Sequence, residues 1–171
     1  MGNLLLKVES MSGCEVYRIG AEAVITLQPS TGYVSVSCPW HDELNGCHYW
    51  RHRGEGVSLV SFLFGLDRHY AMKKLFNQKD LQEFDLEETV DGLKRMIIDQ
   101  RRSDSWPADV AREIWDDVVN CETPDDVARL SDPYGNCYYE DLRYKDKDCV
   151  AWFWDVVWAS FIAHLKETNH G

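Results

Sequence analysis

The stretch YVSVSCPWHDELNGCHYWRHR, Tyr33 to Arg53, decides how the first third of this chain folds. Its opening residues alternate strictly: Tyr33, Ser35 and Ser37 fall on one side of an extended chain and Val34, Val36 and Cys38 on the other, which is the period of a half-buried strand. Asp42 to Gly46 (DELNG) then offers an Asn-Gly pair, a strong hairpin turn because both residues tolerate positive φ. CHYWRHR continues extended, with Cys47, Tyr49 and Arg51 opposite His48, Trp50 and His52. The stretch predicts a β-hairpin.

Toward the N-terminus, CEVYRI (Cys14–Ile19) and AVITLQ (Ala23–Gln28) are short, rich in Val, Ile, Thr and Tyr, and bounded by Gly20 and by the turn residues Pro29-Ser30-Thr31-Gly32. Together these segments predict a meander of about four antiparallel strands. From Ser58 onward the period is helical. Ser58 caps a helix carrying Leu59, Phe62, Leu63 and Leu66 on one face, and Asp67 caps a second through Tyr70, Ala71 and Leu75. Asp85 with Glu88 precedes Leu86, Val90, Leu93 and Ile97, Pro107 opens a helix with Val110, Ile114 and Val118 inward, and Thr123-Pro124-Asp125-Asp126 starts a short one. Asp148 is expected to cap the last helix, CVAWFWDVVWASFIAHLKE. That segment is apolar nearly all round, which places it in the core, and Asp155, Ser160 and His164 interrupt it too often for a membrane span.

The predicted fold class is α+β: an antiparallel sheet of about four N-terminal strands packed against five or six helices. The 171 residues, 44% hydrophobic and 12% aromatic, suffice for one core, so a single domain over 1–171 is expected, β-rich over residues 1–57 and helical and acidic over residues 58–171. The clearest break after that, Asn77 to Leu81, reads as a loop within the domain.

The opening stretch also carries ligand-type side chains. Cys38-x2-His41-x5-Cys47-x4-His52 has the arithmetic of a zinc site, for which four soft or borderline ligands are needed. Its compactness is similar to that of a zinc knuckle, and CPWHDE (Cys38–Glu43) resembles the first half of the zinc-ribbon module of bacterial primases, in which a Cys-Pro-x-His pair opens the site. The second Cys-x2-Cys pair of that ribbon is absent here. A hairpin with Cys38 and Cys47 as small buried residues accounts for the same spacing, so no cofactor is expected and zinc at Cys38, His41, Cys47 and His52 is the alternative. HYWRHR has aromatic and basic residues that suit single-stranded nucleic acid. Arg51 and Arg53 are its sole cations, however, and the second half of the chain is strongly acidic, so no direct nucleic-acid binding is expected.

No enzyme signature stands out. Cys47 and His48 are adjacent, so in a strand they point to opposite faces, which is the wrong geometry for a nucleophile and its base. Gly54-Glu55-Gly56 lacks the Lys-Ser/Thr of a phosphate loop, and no carboxylate spacing singles out an acid and base pair. The six cysteines are spread out, and the opening MGNLLLKVES has too short an apolar run for a leader or a membrane span. A cytoplasmic chain with reduced thiols is expected. Met1-Gly2 begins like a myristoylation signal, but Leu6 stands where that signal needs Ser or Thr.

The net charge of −11 is unevenly placed. Between Asp80 and Asp148 there are 20 acidic and 9 basic residues, whereas the remainder is balanced at 9 and 9. Such a field repels phosphates and attracts basic surfaces. The candidate partner-binding residues are Asp116, Asp117, Glu122, Asp125, Asp126, Asp132, Glu140 and Asp141, with Tyr138 and Tyr139 supplying contact area beside the charge. The competing account is a solvated face that serves solubility.

One longer run bears on origin. HYWRHRGEGVSLVSFLFGLDRHYAMKKLF (His48–Phe76) joins an aromatic strand, a glycine turn and a Phe-Leu helix to an acidic residue and a Lys-Leu-Phe end, and it resembles small accessory proteins encoded by phages and prophages. Such proteins include inhibitors of host nucleic-acid machinery, among them restriction and CRISPR complexes. The resemblance implies a non-enzymatic acidic binding protein that imitates nucleic-acid charge and blocks a basic groove on a host defence or nucleic-acid-processing protein, in the host cell cytoplasm. A zinc-stabilised module binding nucleic acid or protein is the alternative, and an unassigned enzyme the third reading.

Overall fold

The computed structural model describes residues 6–11 and 13–169. Its strands and helices give an α+β fold, as the periods predict. The chain divides into two compact units: residues 1–82 with 146–171, and residues 83–145. The change from strand to helix period near residue 57 therefore marks a change of secondary structure within the first unit, not the boundary between units.

The first unit is built on a five-stranded antiparallel meander in sequence order: β1 (Leu6–Met11), β2 (Cys14–Ile19), β3 (Ala23–Gln28), β4 (Tyr33–Ser37) and β5 (Gly46–Tyr49). Register places Tyr17 against Ile25 and Ile25 against Val36, and sets Leu27 against Val34, so one face collects the buried residues Tyr17, Ile19, Ala23, Ile25, Leu27, Val34 and Val36. Val16, Thr26, Ser35 and Cys47 form a cross-strand row on the other face. Strand β1 adds one to the four that were expected.

The expected Asn-Gly hairpin turn does not form. Asn45 lies in the extended region at φ −115°, and the connection from Cys38 to Gly46 contains a 3-10 turn, Asp42–Leu44. Asn45 serves instead as a side-chain pin: its Oδ1 accepts from the Cys38 N–H at 3.0 Å, and its Nδ2 donates to the carbonyls of His41 at 3.0 Å and Asp42 at 3.2 Å. Gly46 is needed for close approach, because a Cβ there would overlap the Leu75 carbonyl oxygen. The second strand of this pair is also shorter than CHYWRHR suggests, ending at Tyr49.

Three helical elements complete this unit. Ser58 caps α1 (Leu59–Leu63) and Asp67 caps α2 (Arg68–Leu75), each through its side chain, as the sequence predicts. The C-terminal helix runs as α6 (Asp148–Trp152), a π-helical turn (Phe153–Trp158) and α7 (Ala159–Asn169). Its cap position is Lys147 rather than Asp148. Cys149, Val150, Phe153, Val157, Trp158, Phe161 and Leu165 are buried with the inner face of the sheet, so the Trp-rich segment is core, as expected. Tyr17 meets Phe161 edge-on at 5.1 Å, and Phe76 meets Phe153 at 5.3 Å.

The second unit holds α3 (Leu86–Arg102), α4 (Ala108–Val119) and α5 (Pro124–Arg129). Its core is Leu93, Ile97, Trp106, Ala111, Ile114, Val118, Cys121, Val127 and Tyr138, the inward faces that the 3.6-residue period picks out. Thr123 and Asp126 form a reciprocal capping box at the start of α5. A short pairing of β6 (Gln82–Phe84) with β7 (Tyr144–Asp146) lies where the chain enters and leaves this unit.

Candidate functional site

Charge concentrates in the second unit, where residues 83–145 hold 17 Asp and Glu against 8 Lys and Arg, a net of −9. What matters for a partner is which carboxylates are solvated and unpaired. On α4, Ala111, Ile114 and Val118 turn inward, so Asp109, Glu113, Asp116 and Asp117 share the outward side and are exposed. Their i, i+4, i+7, i+8 spacing stacks them along the axis with about 6 Å of rise per four residues. Glu122 and Asp125 follow, also exposed. Between Asp109 and Asp126 seven carboxylates stand against one cation, Arg112, and among the described residues none of the seven has an ion pair within 4 Å.

The candidate residues are not equivalent. Asp126 is engaged in holding the start of α5: one carboxylate oxygen accepts from the Thr123 hydroxyl at 2.8 Å, the Thr123 N–H at 2.9 Å and the Glu122 N–H at 3.2 Å. These bonds, the hydroxyl first, hold its pKa below the ordinary carboxylate range. Asp132 closes the turn between Ser131 and Cys137 in the same manner, accepting from the Asn136 side chain and from the N–H groups of Asn136 and Tyr134, each at 2.8 Å. The Asn136 side chain is the main reason its pKa is also lowered. Asp141 faces Arg143 at 4.0 Å, and Glu140 is exposed.

The tyrosines divide in the same way. Tyr138 is 4% exposed and packs in the second unit's core, so it offers no contact area, correcting its expected place on the surface. Burial, and then the charges of Asp132 and Asp141, push its phenol up to about 12. Tyr139 belongs to the 3-10 turn Tyr139–Asp141, and its side chain lies outside what the structure describes. Tyr134 and Tyr144, 73% and 53% exposed, are the aromatic surface on this stretch. Of the expected acidic residues, Asp116, Asp117, Glu122, Asp125 and Glu140 are exposed and without an ion pair among the described residues, and Asp109 and Glu113 join them on the outward side of α4. Asp109 and Glu113 were not among the residues expected from sequence, although helical spacing from Asp116 and Asp117 identifies them.

The four ligand-type residues of the opening stretch do not come together. Cys38 extends the buried row of Val34 and Val36, whereas Cys47 stands opposite Ser35 on the other face and is exposed. Opposite faces of one sheet cannot supply a common ion. Burial, then the Cys149 and Glu22 side chains, push the Cys38 thiol up to about 12. His52 is exposed beyond the end of β5. Of the four, only His41 joins a group of ligand-type atoms close enough to share an ion among the described residues, and its companions are Glu43 and Cys149. Cys149 is 106 residues from Glu43, which is why spacing could not find it.

The chain matches the model of a phage protein family over residues 6–167, nearly its full length, and it belongs to that family. The origin suggested by the His48–Phe76 run is thus met. No curated protein and no solved structure matches it. Among the described residues no helix is long and apolar enough to cross a membrane.

Proposed function

We propose that this phage-family protein acts by binding rather than by catalysis, presenting the unpaired carboxylates of α4 and the start of α5 to a basic groove on a host nucleic-acid-processing or defence protein. The observation that carries the reading is the row Asp109, Glu113, Asp116, Asp117 on a helix whose opposite side is buried. A folded helix holds these charges at fixed intervals. A partner evolved to read phosphates therefore meets a preorganised anionic line instead of a flexible tail. Phage origin is consistent with a target in the host.

The test uses Asp109→Lys, Glu113→Lys, Asp116→Lys and Asp117→Lys combined, leaving the capping residue Asp126 intact. The wild-type protein is expected to retain a basic host protein that is released by rising salt and displaced by double-stranded DNA, because both screen or occupy the same groove. The reversed variant, with an unchanged melting temperature, is expected to retain none. Retention that survives the four reversals, or that DNA does not displace, overturns the reading.

A further inference from the structure

We propose that His41, Glu43 and Cys149 form a binding site for a single zinc-class divalent cation. Their ligand atoms, an imidazole nitrogen, a carboxylate oxygen and a thiol sulfur, all lie within 4.8 Å of one another. Metal–ligand bonds of about 2.0–2.3 Å in a tetrahedron set ligand atoms about 3.3–3.7 Å apart. The Cys149 sulfur and the Glu43 Oε1 are already 3.5 Å apart, inside that range. Mixed N, O and S donors select a borderline cation of the Zn²⁺ type over Mg²⁺ or Ca²⁺, which take oxygen ligands. Three protein ligands leave a fourth position for water or for a group on another molecule.

The cluster is held in place from several directions. Asn45 pins the connection that carries His41 and Glu43 through its bonds to the Cys38 N–H and to the carbonyls of His41 and Asp42. The Trp152 ring lies 5.1 Å from the His41 ring and fixes the imidazole from the α6 side. Cys149 is buried in the first unit's core beside Val150 and Phe153. Burial and the facing Glu43 carboxylate push its thiol up to about 11. A dication reverses the electrostatic component of that shift: as the sulfur–metal bond forms, the thiol proton leaves to solvent. One residue opposes the cation. Lys147 donates to Glu43 Oε1 at 3.3 Å and supplies the charge that a metal would replace. Its side chain is 35% exposed, so its ammonium can swing into water.

That opposition makes the proposal distinguishable from a merely structural cluster. Untagged protein is equilibrated with Zn²⁺, passed into metal-free buffer and assayed for retained metal, and Co²⁺ is added in parallel to read thiolate-to-metal charge-transfer absorption. About one equivalent per chain is expected, with affinity reduced at least about a hundredfold in Cys149→Ser and in His41→Ala, since even supporting groups around a metal are worth 10–100-fold. Lys147→Ala is expected to tighten binding, an effect that damage to the fold would not produce. Cys47→Ser and Cys137→Ser, which alter exposed thiols, are expected to change nothing. If Cys149→Ser fails to fold, His41→Ala and Lys147→Ala decide between them. No retained metal, Co²⁺ absorption that persists in Cys149→Ser or disappears in Cys47→Ser, or an affinity unmoved by both His41→Ala and Lys147→Ala, overturns the site.

Discussion

Thr89 is a buried polar side chain, 1% exposed in the first half of α3. Its Oγ1 accepts from the Arg143 N–H at 2.9 Å, while the Arg143 carbonyl accepts from the Asp85 N–H at 2.9 Å. Both backbone groups of Arg143 are therefore satisfied by the first turns of α3, and this fixes the segment leading into β7. Thr89→Val keeps the shape and removes the acceptor. Leaving a buried donor unpaired costs about 1–3 kcal/mol, and because this N–H is only partly buried the lower end applies, about 1–2 kcal/mol. Native-state amide exchange reads the effect directly: protection of the Arg143 amide should fall by roughly 5–30-fold, the population change that 1–2 kcal/mol represents. Thr89→Ser keeps the oxygen and loses one methyl, so it should retain most of the protection at Arg143 while losing about 1 kcal/mol of packing. If the valine variant protects Arg143 as the wild type does, or if serine and valine expose it equally, the hydrogen bond is not what holds this segment.

Three further outcomes follow from the same structure. Because hydrogen bonds depress the Asp126 pKa in the folded state, its contribution is complete above the ordinary carboxyl value near about pH 4 and is lost as pH falls through the lower folded value. Asp126→Asn should therefore flatten the acid limb of urea midpoints measured from about pH 6 to about pH 2. In native protein at mildly alkaline pH, iodoacetamide should label the exposed Cys47 and Cys137 well before Cys38, whose buried thiol is pushed up to about 12; peptide mass mapping reads the order. Gly46→Ala should lower the urea midpoint by an amount equivalent to about 1–3 kcal/mol, since the added methyl meets the Leu75 backbone, which cannot yield as a flexible side chain would. An unchanged midpoint would mean that the β5–α2 approach is looser than the structure has it.

Most of the architecture was legible because it rests on local chemistry. Strands β2 and β3 begin and end at the residues the sequence suggests, and Ser58, Asp67, Asp85 and Thr123 all accept the hydrogen bonds their positions predict. Strand β1 is not announced by its sequence because an edge strand pairs on one side only, and the charged residues of LKVESM break the apolar alternation that marks an inner strand. Asn45-Gly46 misled for a related reason. The same two residues serve a tight turn or a side-chain pin beside a close contact, and what chooses between them is the end of α2 at Leu75, far along the chain. Division into units was hidden because residues 146–171 return to the sheet, and no local signal announces a return of that length.

The candidate site shows the same limit in its energetics. Composition counts carboxylates, but a carboxylate is available to a partner only if its folded-state bonds leave it free. Asp125 and Asp126 are neighbours of equal charge, yet Asp126 accepts three hydrogen bonds and Asp125 is solvated. Meeting a cationic partner through Asp126 would strain the cap that starts α5, so some of any gained attraction would be lost in the helix. Asp125, Asp116 and Asp117 carry no such opposing term. On the proposed reading, the row on α4 is where added charge complementarity would convert most fully into affinity, and reversal of sign there should act more strongly than in the loop from Ser131 to Asp148.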